Sequence, residues 1–405
     1  NEYINPTRIV TERNVENSGN ILENNTVQAV FNDRNCIKIK SGGYILLDFG
    51  RELNGGAVVT IQSVSADDTK LRIVFGESVS ESLSDLGKKN SGNNHSVRDM
   101  TVDAVFMSTQ RFGNTGFRFV KLEAVGGDIS VRCVKAEPDI RDIKYLGSFE
   151  CSDELLNRIW KTGAYTVQLN MHEYLWDGVK RDRLVWIGDM MPETMTIRDI
   201  FGCVPLVEQS LEFVRDQTPL PGWMCGGFHS YSMWWIIILW DWYMASGSAE
   251  FLERNKAYAT ELLKNLCDLV SDDGSDKVTF YFFDWPTYQT PAAVSGVRTL
   301  LKMALDCGVT LSKYYGETEL SEQCAKCREL LALKVDKDYG FKQVAAFLAL
   351  SGSAGTENAG KIITADGTKG FSTFLIYFML HIAAESGRSE EALRLLKEYY
   401  GAMLS

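Results

Sequence analysis

The sequence predicts a two-part chain, an N-terminal β-sandwich followed by a larger all-helical region. Three observations lead there. Short β-branched or alternating runs, set between Gly, Asn and Asp clusters, fill the chain up to residue 147. From Ser152 onward, apolar residues recur at three-to-four spacing instead. Several of the later stretches are apolar nearly all round, notably Met233 to Trp240, as in an inner layer of helices wrapped by an outer one. A chain of 405 residues has room for two or three domains. The expected division is 1–147 for the sandwich and 148–405 for a toroid of helix pairs.

In chain order, strands are expected at 44–49, 57–61, 70–75, 118–123 and 129–134. The polar stretch 80–95, rich in Gly and Asn, reads as a long loop. Ser152-Asp153-Glu154 offers an N-cap ahead of Leu155, Leu156, Ile159 and Trp160. Helices are then expected near 152–171, 190–202, 204–216, 230–246, 249–271, 291–315, 318–334, 341–351, 371–386 and 389–403. Residues 361–371 read as a polar, Gly-rich turn before a helix. No sequence repeat of fixed period is visible.

Composition narrows the function. Hydrophobic residues make up 45% and charged residues 23%, which suits a packed globular chain. The formal net charge of -11 argues against nucleic acid and anionic membranes as partners. The longest apolar run, Met233 to Met244, falls well short of the ~20 residues of a spanning helix. Nine cysteines, an odd number, sit mostly in apolar surroundings and point towards a reducing compartment. A cytoplasmic location is therefore favoured over a periplasmic one. Cys324-Ala-Lys-Cys327 has the spacing of a metal ligand pair but no second pair to match, so it reads as a helical coincidence.

One stretch concentrates chemistry. Between Trp176 and Asp189 lie three acids (Asp177, Asp182, Asp189), three bases (Lys180, Arg181, Arg183) and a second tryptophan, Trp186. Carboxylates and aromatic faces together suit a hydroxyl-rich ligand. Cleaving a glycosidic bond needs one carboxylic acid and one carboxylate on opposite sides of it. On the residues alone, a solvated, salt-bridged loop accounts for the cluster as well as a site does. Phe282-Phe283-Asp284-Trp285-Pro286 repeats the pairing of acid and tryptophan; for Trp223, Trp234, Trp235 and Tyr288 core packing is the better reading, and Trp285, beside an acid in an expected loop, is the best exception. His172 is placed near the central stretch and His381 in the core. No nucleophile elbow and no phosphate loop is present.

Asp177-Gly-Val-Lys-Arg-Asp182-Arg-Leu-Val-Trp186-Ile-Gly-Asp189 resembles the motif of α-L-rhamnosidases of glycoside hydrolase family 78, including the acid spacing of five and then seven. Leu47-Asp-Phe-Gly50, Gly116-Phe-Arg-Phe119, Ser230-Tyr-Ser-Met-Trp-Trp235 and Ala365-Asp-Gly-Thr-Lys-Gly-Phe-Ser-Thr373 extend the resemblance in order along the chain. It implies a β-sandwich followed by an (α/α)6 barrel, an inverting mechanism, and no metal or other cofactor in the chemistry. The expected partner is a rhamnose-containing carbohydrate or glycoside.

By the same resemblance Asp182 is the general acid, in a position that many members fill with Glu. Asp177 and Asp189 bind rhamnose hydroxyls, and Arg181 and Trp186 line the pocket. Trp234, Asp284 and Trp285 are assigned to the sugar more loosely. The family's general base, a Glu beside a Trp, follows a segment like Lys397 to Leu404, and this sequence stops at Ser405. About ten helices are expected where six pairs need about twelve, so a truncated or shortened homologue is anticipated. Glu173, Glu193, Asp284, Glu357 and Asp366 have no motif support as the base. Two other readings stand beside the hydrolase. One is a sugar-binding homologue without turnover. The other is a different toroidal carbohydrate enzyme, such as a lyase using His229 and Tyr231.

Overall fold

The computed structural model describes residues 3–32, 34–89 and 91–404. Asn90, within the stretch read as a long loop, and the terminal Ser405 lie outside them. The chain divides into two compact units. The first comprises residues 1–142, 168–172 and 176–184, and the second 143–167, 173–175 and 185–405. The charged half of the central stretch therefore groups with the strands, although it follows the first long helix in sequence.

The first unit contains β1 (Arg8–Glu16), β2 (Ile37–Val64), β3 (Lys70–Gly76), the single turn α1 (Val79–Ser82), β4 (Asp99–Asp103), β5 (Ser108–Val125) and β6 (Ile129–Pro138). Every pairing is antiparallel. The 28 residues of β2 far exceed an ordinary strand, and register shifts bend it midway. Its early part pairs with β1 and with the end of β5, which continues to β3 and β4. Its late part pairs with β6 and with the start of β5. Both runs contribute to one apolar core, for example Ile45, Leu47, Ile73 and Leu122 with Val59, Ile61 and Val134. Phe117 stands edge-on to Phe49 and Phe75 at 5.9 and 5.0 Å.

Two motifs of the family resemblance meet in this unit and are structural. Asp48, buried, accepts from Arg118 Nε and Nη2 at 2.8 and 3.0 Å, from Arg8 Nε at 2.9 Å, and from the Gly50 amide at 2.8 Å. Burial alone would raise its carboxyl pKa. The Arg118 guanidinium, the Gly50 amide and Arg8 outweigh that and hold it below the ordinary value.

The second unit is helical: α2 (Glu154–Asn170), α3 (Ile187–Ile200), α4 (Pro205–Asp216), the short α5 (Met224–Gly227), α6 (His229–Ser246), α7 (Ala249–Asp268), α8 (Pro291–Tyr314), α9 (Thr318–Leu331), α10 (Lys342–Leu350), α11 (Thr356–Thr364), α12 (Ile376–Glu385) and α13 (Ser389–Gly401). The last three residues of α2 group with the strands. Asp153 Oδ1 accepts from the Leu155 and Leu156 amides, as the N-cap reading required. α6 is buried on all sides, through Met233, Trp235, Ile238, Leu239 and Trp242 among others. It packs on α3 and α8; α8 packs on α9, and α10 on α11 and α12. Among the described residues, no helix is long and apolar enough to cross a membrane.

Five of these elements escaped the sequence reading: β1, α1, β4, α5 and α11. Several boundaries moved, and the strands expected at 44–49 and 57–61 are one strand, β2. α3 begins at Ile187, so Gly188 and Asp189 belong to its first turn and not to a loop, and the helix expected from 371 begins at Ile376.

Candidate active site

In the strand unit, residues 176–184 form a loop closed on itself. The Asp177 amide donates to the Leu184 carbonyl at 3.0 Å, and the Leu184 amide donates to Asp177 Oδ1 at 2.9 Å. Trp176 is stacked on His172, with centroids 3.9 Å apart, and Arg183 lies over its ring at 5.1 Å. The Arg183 guanidinium also donates to the Val179 carbonyl (2.7 Å), Asn54 Oδ1 (2.7 Å) and Asn114 Oδ1 (3.2 Å). Lys180 Nζ sits between Glu77 and Glu81 at 3.0 and 2.9 Å. The loop can approach the strands because residue 116 is glycine. A Cβ there would stand 2.8 Å from Val179 Cγ2 and 3.1 Å from the Lys180 nitrogen. Lys180, Arg183 and Gly116 are thus scaffold, as is His172, whose Nε2 lies 2.8 Å from the Leu169 carbonyl.

Asp182 and Arg181 have a different environment. Asp182 and Arg183 are consecutive non-glycine residues with φ of 61° and 56°, a conformation that costs backbone energy and recurs at functional sites. The Asp182 side chain is 25% exposed; its Oδ1 lies 3.2 Å from His95 Nε2 and 3.7 Å from Arg181 Nε. Arg181 is exposed. Asp177 and Arg181 line a cavity of about 470 Å³ with Glu77, Asn94, Ser96 and Arg98. Burial pushes the Asp177 carboxyl up to about 6, and the negative charge of Asp182 adds to this against the Leu184 hydrogen bond.

The remaining candidates belong to the helical unit. Trp186 caps α3 and meets Phe228 and Tyr231 edge-on at 5.9 and 5.8 Å. Gly188 makes that packing feasible, since a Cβ would lie 2.3 Å from Tyr231 Cε1. Asp189, partly buried, stands in the first turn of α3, where the helix dipole favours an anion. The ring cluster runs on through Phe282 to Trp285, 5.1 Å away and 75% exposed.

Two of the looser assignments fall on buried side chains of the helical unit. Trp234 is 2% exposed and packs against Phe347 and Phe378, so its faces are taken by the core. Asp284 is equally buried; it caps a 3-10 turn through the Trp285 amide at 2.8 Å and accepts from Gln343 at 3.4 Å. Burial raises its pKa, opposed by the bonds from Ser372, Trp285 and Gln343.

Other residues singled out from the sequence also fall into place. His381 is not in the core; it is exposed on α12, with Glu385 3.3 Å away. His229 stacks on Trp223, whereas Tyr231 stacks on Phe228. Glu357 is paired with Lys361 at 2.7 Å. The thiols of Cys324 and Cys327 are both buried beside Cys267, with 3.7 Å between the Cys267 and Cys324 sulfurs. Among the described residues, no three His, Cys, Asp or Glu side chains are arranged to hold a metal ion. The sequence reading missed His95, Asn54 and Asn114. These three come from loop and strand positions far away in sequence, and no local pattern marks them.

Comparison with known proteins bears out the resemblance. Residues 144–317 match the bacterial α-L-rhamnosidase six-hairpin glycosidase domain. A curated α-L-rhamnosidase from Formosa agariphila is 34% identical over 79 residues, which is 20% of this chain and 8% of that protein. A family 78 rhamnosidase structure from Bacillus sp. GL1 superposes with a TM-score of 0.75 at 20% identity, covering 95% of this chain and 44% of that one. A Klebsiella oxytoca rhamnosidase structure with rhamnose bound gives 0.76 at 17% identity, covering all of this chain and 87% of that one. The chain thus has the fold of these structures but spans less than half the length of the Formosa and Bacillus proteins.

Proposed function

We propose, with the α-L-rhamnosidase six-hairpin match over residues 144–317 as the premise, that this chain is an inverting glycoside hydrolase removing terminal α-L-rhamnose from glycosides or polysaccharides. Asp182 carries the proposal. It is the middle acid of the motif, it is partly exposed on a left-handed backbone, and its carboxylate is bracketed by His95 and Arg181. In the proposed reaction Asp182 gives its proton to the leaving glycosidic oxygen as the anomeric C–O bond breaks. A water adds to the anomeric carbon from the opposite face and loses its proton to a carboxylate. In inverting enzymes that carboxylate lies roughly 6.5–9.5 Å from the acid, leaving room for the water. Asp177, Arg181 and Asp189 are proposed to bind sugar hydroxyls, and the rings of Trp186 and Trp285 to cover apolar sugar faces. No metal or cofactor takes part in the proposed chemistry.

The finer architecture belongs to the same proposal. Two ladder runs sharing one core support a β-sandwich for the first unit, within the expected 1–147 division. Successive helices packed in pairs support an (α/α)6-type arrangement for 148–405.

Release of nitrophenol from nitrophenyl α-L-rhamnoside, with the first-formed anomer followed by proton NMR, tests the reading. Turnover yielding the inverted anomer supports it. A sugar-binding protein without turnover is the second reading. It is favoured by the state of two carboxylates considered as bases: Asp284 is buried against Gln343, and Glu357 is paired with Lys361. Rhamnose binding by calorimetry with no nitrophenol released would select it.

A further inference from the structure

Asp182 has a partner that the motif does not contain. His95 lies at the end of the polar stretch expected as a loop, and the residues on either side of it are held by hydrogen bonds. Asn93 Oδ1 accepts from the Arg98 and Asp99 amides, both at 3.1 Å. Ser96 Oγ pairs with Thr115 at 2.8 Å and donates to the Lys180 carbonyl at 3.2 Å. Between these anchors His95 adopts φ of 65°, and its Nε2 reaches Asp182 Oδ1 at 3.2 Å. Two left-handed residues from distant parts of the sequence thus present one imidazole nitrogen to one carboxylate oxygen. Both belong to the strand unit.

We infer that His95 positions Asp182 and holds the proton that Asp182 delivers. The inference rests on the hydrolase reading above and adds a residue to it. Imidazole is the side chain whose charge changes nearest neutral pH. A general acid must carry its proton at working pH, and an aspartate needs help to do so. In the step inferred, the proton stored on His95 Nε2 passes to Asp182 Oδ1, leaving imidazole neutral, and Asp182 gives it to the glycosidic oxygen as the C–O bond breaks. The half-exposed ring regains its proton from solvent, so protons balance over the cycle.

The charged groups around the pair leave room for this. Arg181 Nε is the nearest cation to Asp182, at 3.7 Å, on an exposed side chain. Lys180 is neutralised by Glu77 and Glu81. Arg98 is buried beside Glu81 and donates to the Phe75 carbonyl. Asp177 is the nearby carboxylate, and burial together with the charge of Asp182 pushes its own carboxyl up.

The test uses the pH profile of kcat/KM on 4-methoxyphenyl α-L-rhamnoside, whose poor leaving group needs the proton. His95→Gln keeps an N–H donor in about the right place but cannot store a proton; His95→Ala loses both. Activity requires the protonated acid, so it falls as pH rises. Removing the proton store should move that fall to lower pH. We expect His95→Gln to stay within about threefold of wild type on the low-pH side, with its high-pH limb at least one unit lower. His95→Ala should lose about tenfold or more throughout. Wild-type turnover with an unmoved high-pH limb in His95→Gln would overturn the inference alone. Absence of wild-type turnover would overturn the hydrolase reading beneath it.

Discussion

The polar loop 176–184 and the ring-packed residues around Trp186 are neighbours in sequence but are held by different forces, each within its own unit. The loop is fixed by directional bonds: Arg183 to three oxygens, Lys180 to two carboxylates, and Asp177 to Leu184. The ring-packed part is fixed by volume, with Trp186 set against Phe228 and Tyr231 over a glycine. The contrast separates scaffold from reagent inside one motif. Of the four charged residues from 180 to 183, Lys180 and Arg183 anchor the loop, Arg181 is exposed, and Asp182 is partly exposed between His95 and Arg181. A cluster of charges is therefore neither wholly a site nor wholly a solvated turn.

The contrast can be broken from the packed side first. Trp234→Ala should cost about 3–5 kcal/mol in chemical denaturation, as emptying a buried tryptophan site does. Trp285→Ala, on an exposed ring, should change stability by less than about 0.5 kcal/mol while weakening rhamnose binding in calorimetry. If the two variants melt alike, the division into core and surface tryptophans is wrong. Gly188→Ala forces a methyl into Tyr231 and should cost about 1–3 kcal/mol, read as a lowered thermal midpoint.

The polar side should respond less in stability and more in local order. Arg183→Lys keeps the charge but loses the fork that reaches Asn54 and Asn114, so about 1–2 kcal/mol is expected. Faster amide exchange at Leu184 should accompany it. A further effect is a pH dependence. Burial raises the Asp177 carboxyl from 3.8 to about 6, so the folded state binds its proton more tightly than the unfolded chain. That contribution to stability is present at low pH and is lost as pH rises through about 6. Wild type should therefore lose stability relative to Asp177→Asn as pH rises from about 4 to 6. An opposite slope would mean that the carboxylate is stabilised as an anion.

Much of this was legible in the sequence because it is written locally. The unbroken apolar run of α6, the apolar periodicity of α8, the cap at Asp153 and the cores of β2 and β5 are properties of short windows. The elements missed lack that signal. β1 is an edge strand with charged residues along its exposed face, and α11, Thr-Glu-Asn-Ala-Gly-Lys-Ile-Ile-Thr, has few apolar positions and an internal glycine. Trp234 and Trp285 could be told apart, since Trp234 lies in the apolar run 233–240 and Trp285 beside an acid in an expected loop, but the partners that bury Trp234, Phe347 and Phe378, lie far along the chain. The grouping of 176–184 with the strands turns on Gly116, about sixty residues upstream, and nothing near the motif announces it.

The central claim is that Asp182 is a proton donor and not only a sugar contact. The direct measurement compares Asp182→Asn with wild type on two rhamnosides that differ only in leaving group, 2,4-dinitrophenyl and 4-methoxyphenyl. A dinitrophenolate departs with little help, whereas a methoxyphenolate needs protonation. The account predicts a loss of about 10²–10⁴-fold in kcat/KM for the methoxyphenyl substrate and a much smaller loss for the dinitrophenyl one. Equal losses on both would contradict it and reduce Asp182 to a binding residue.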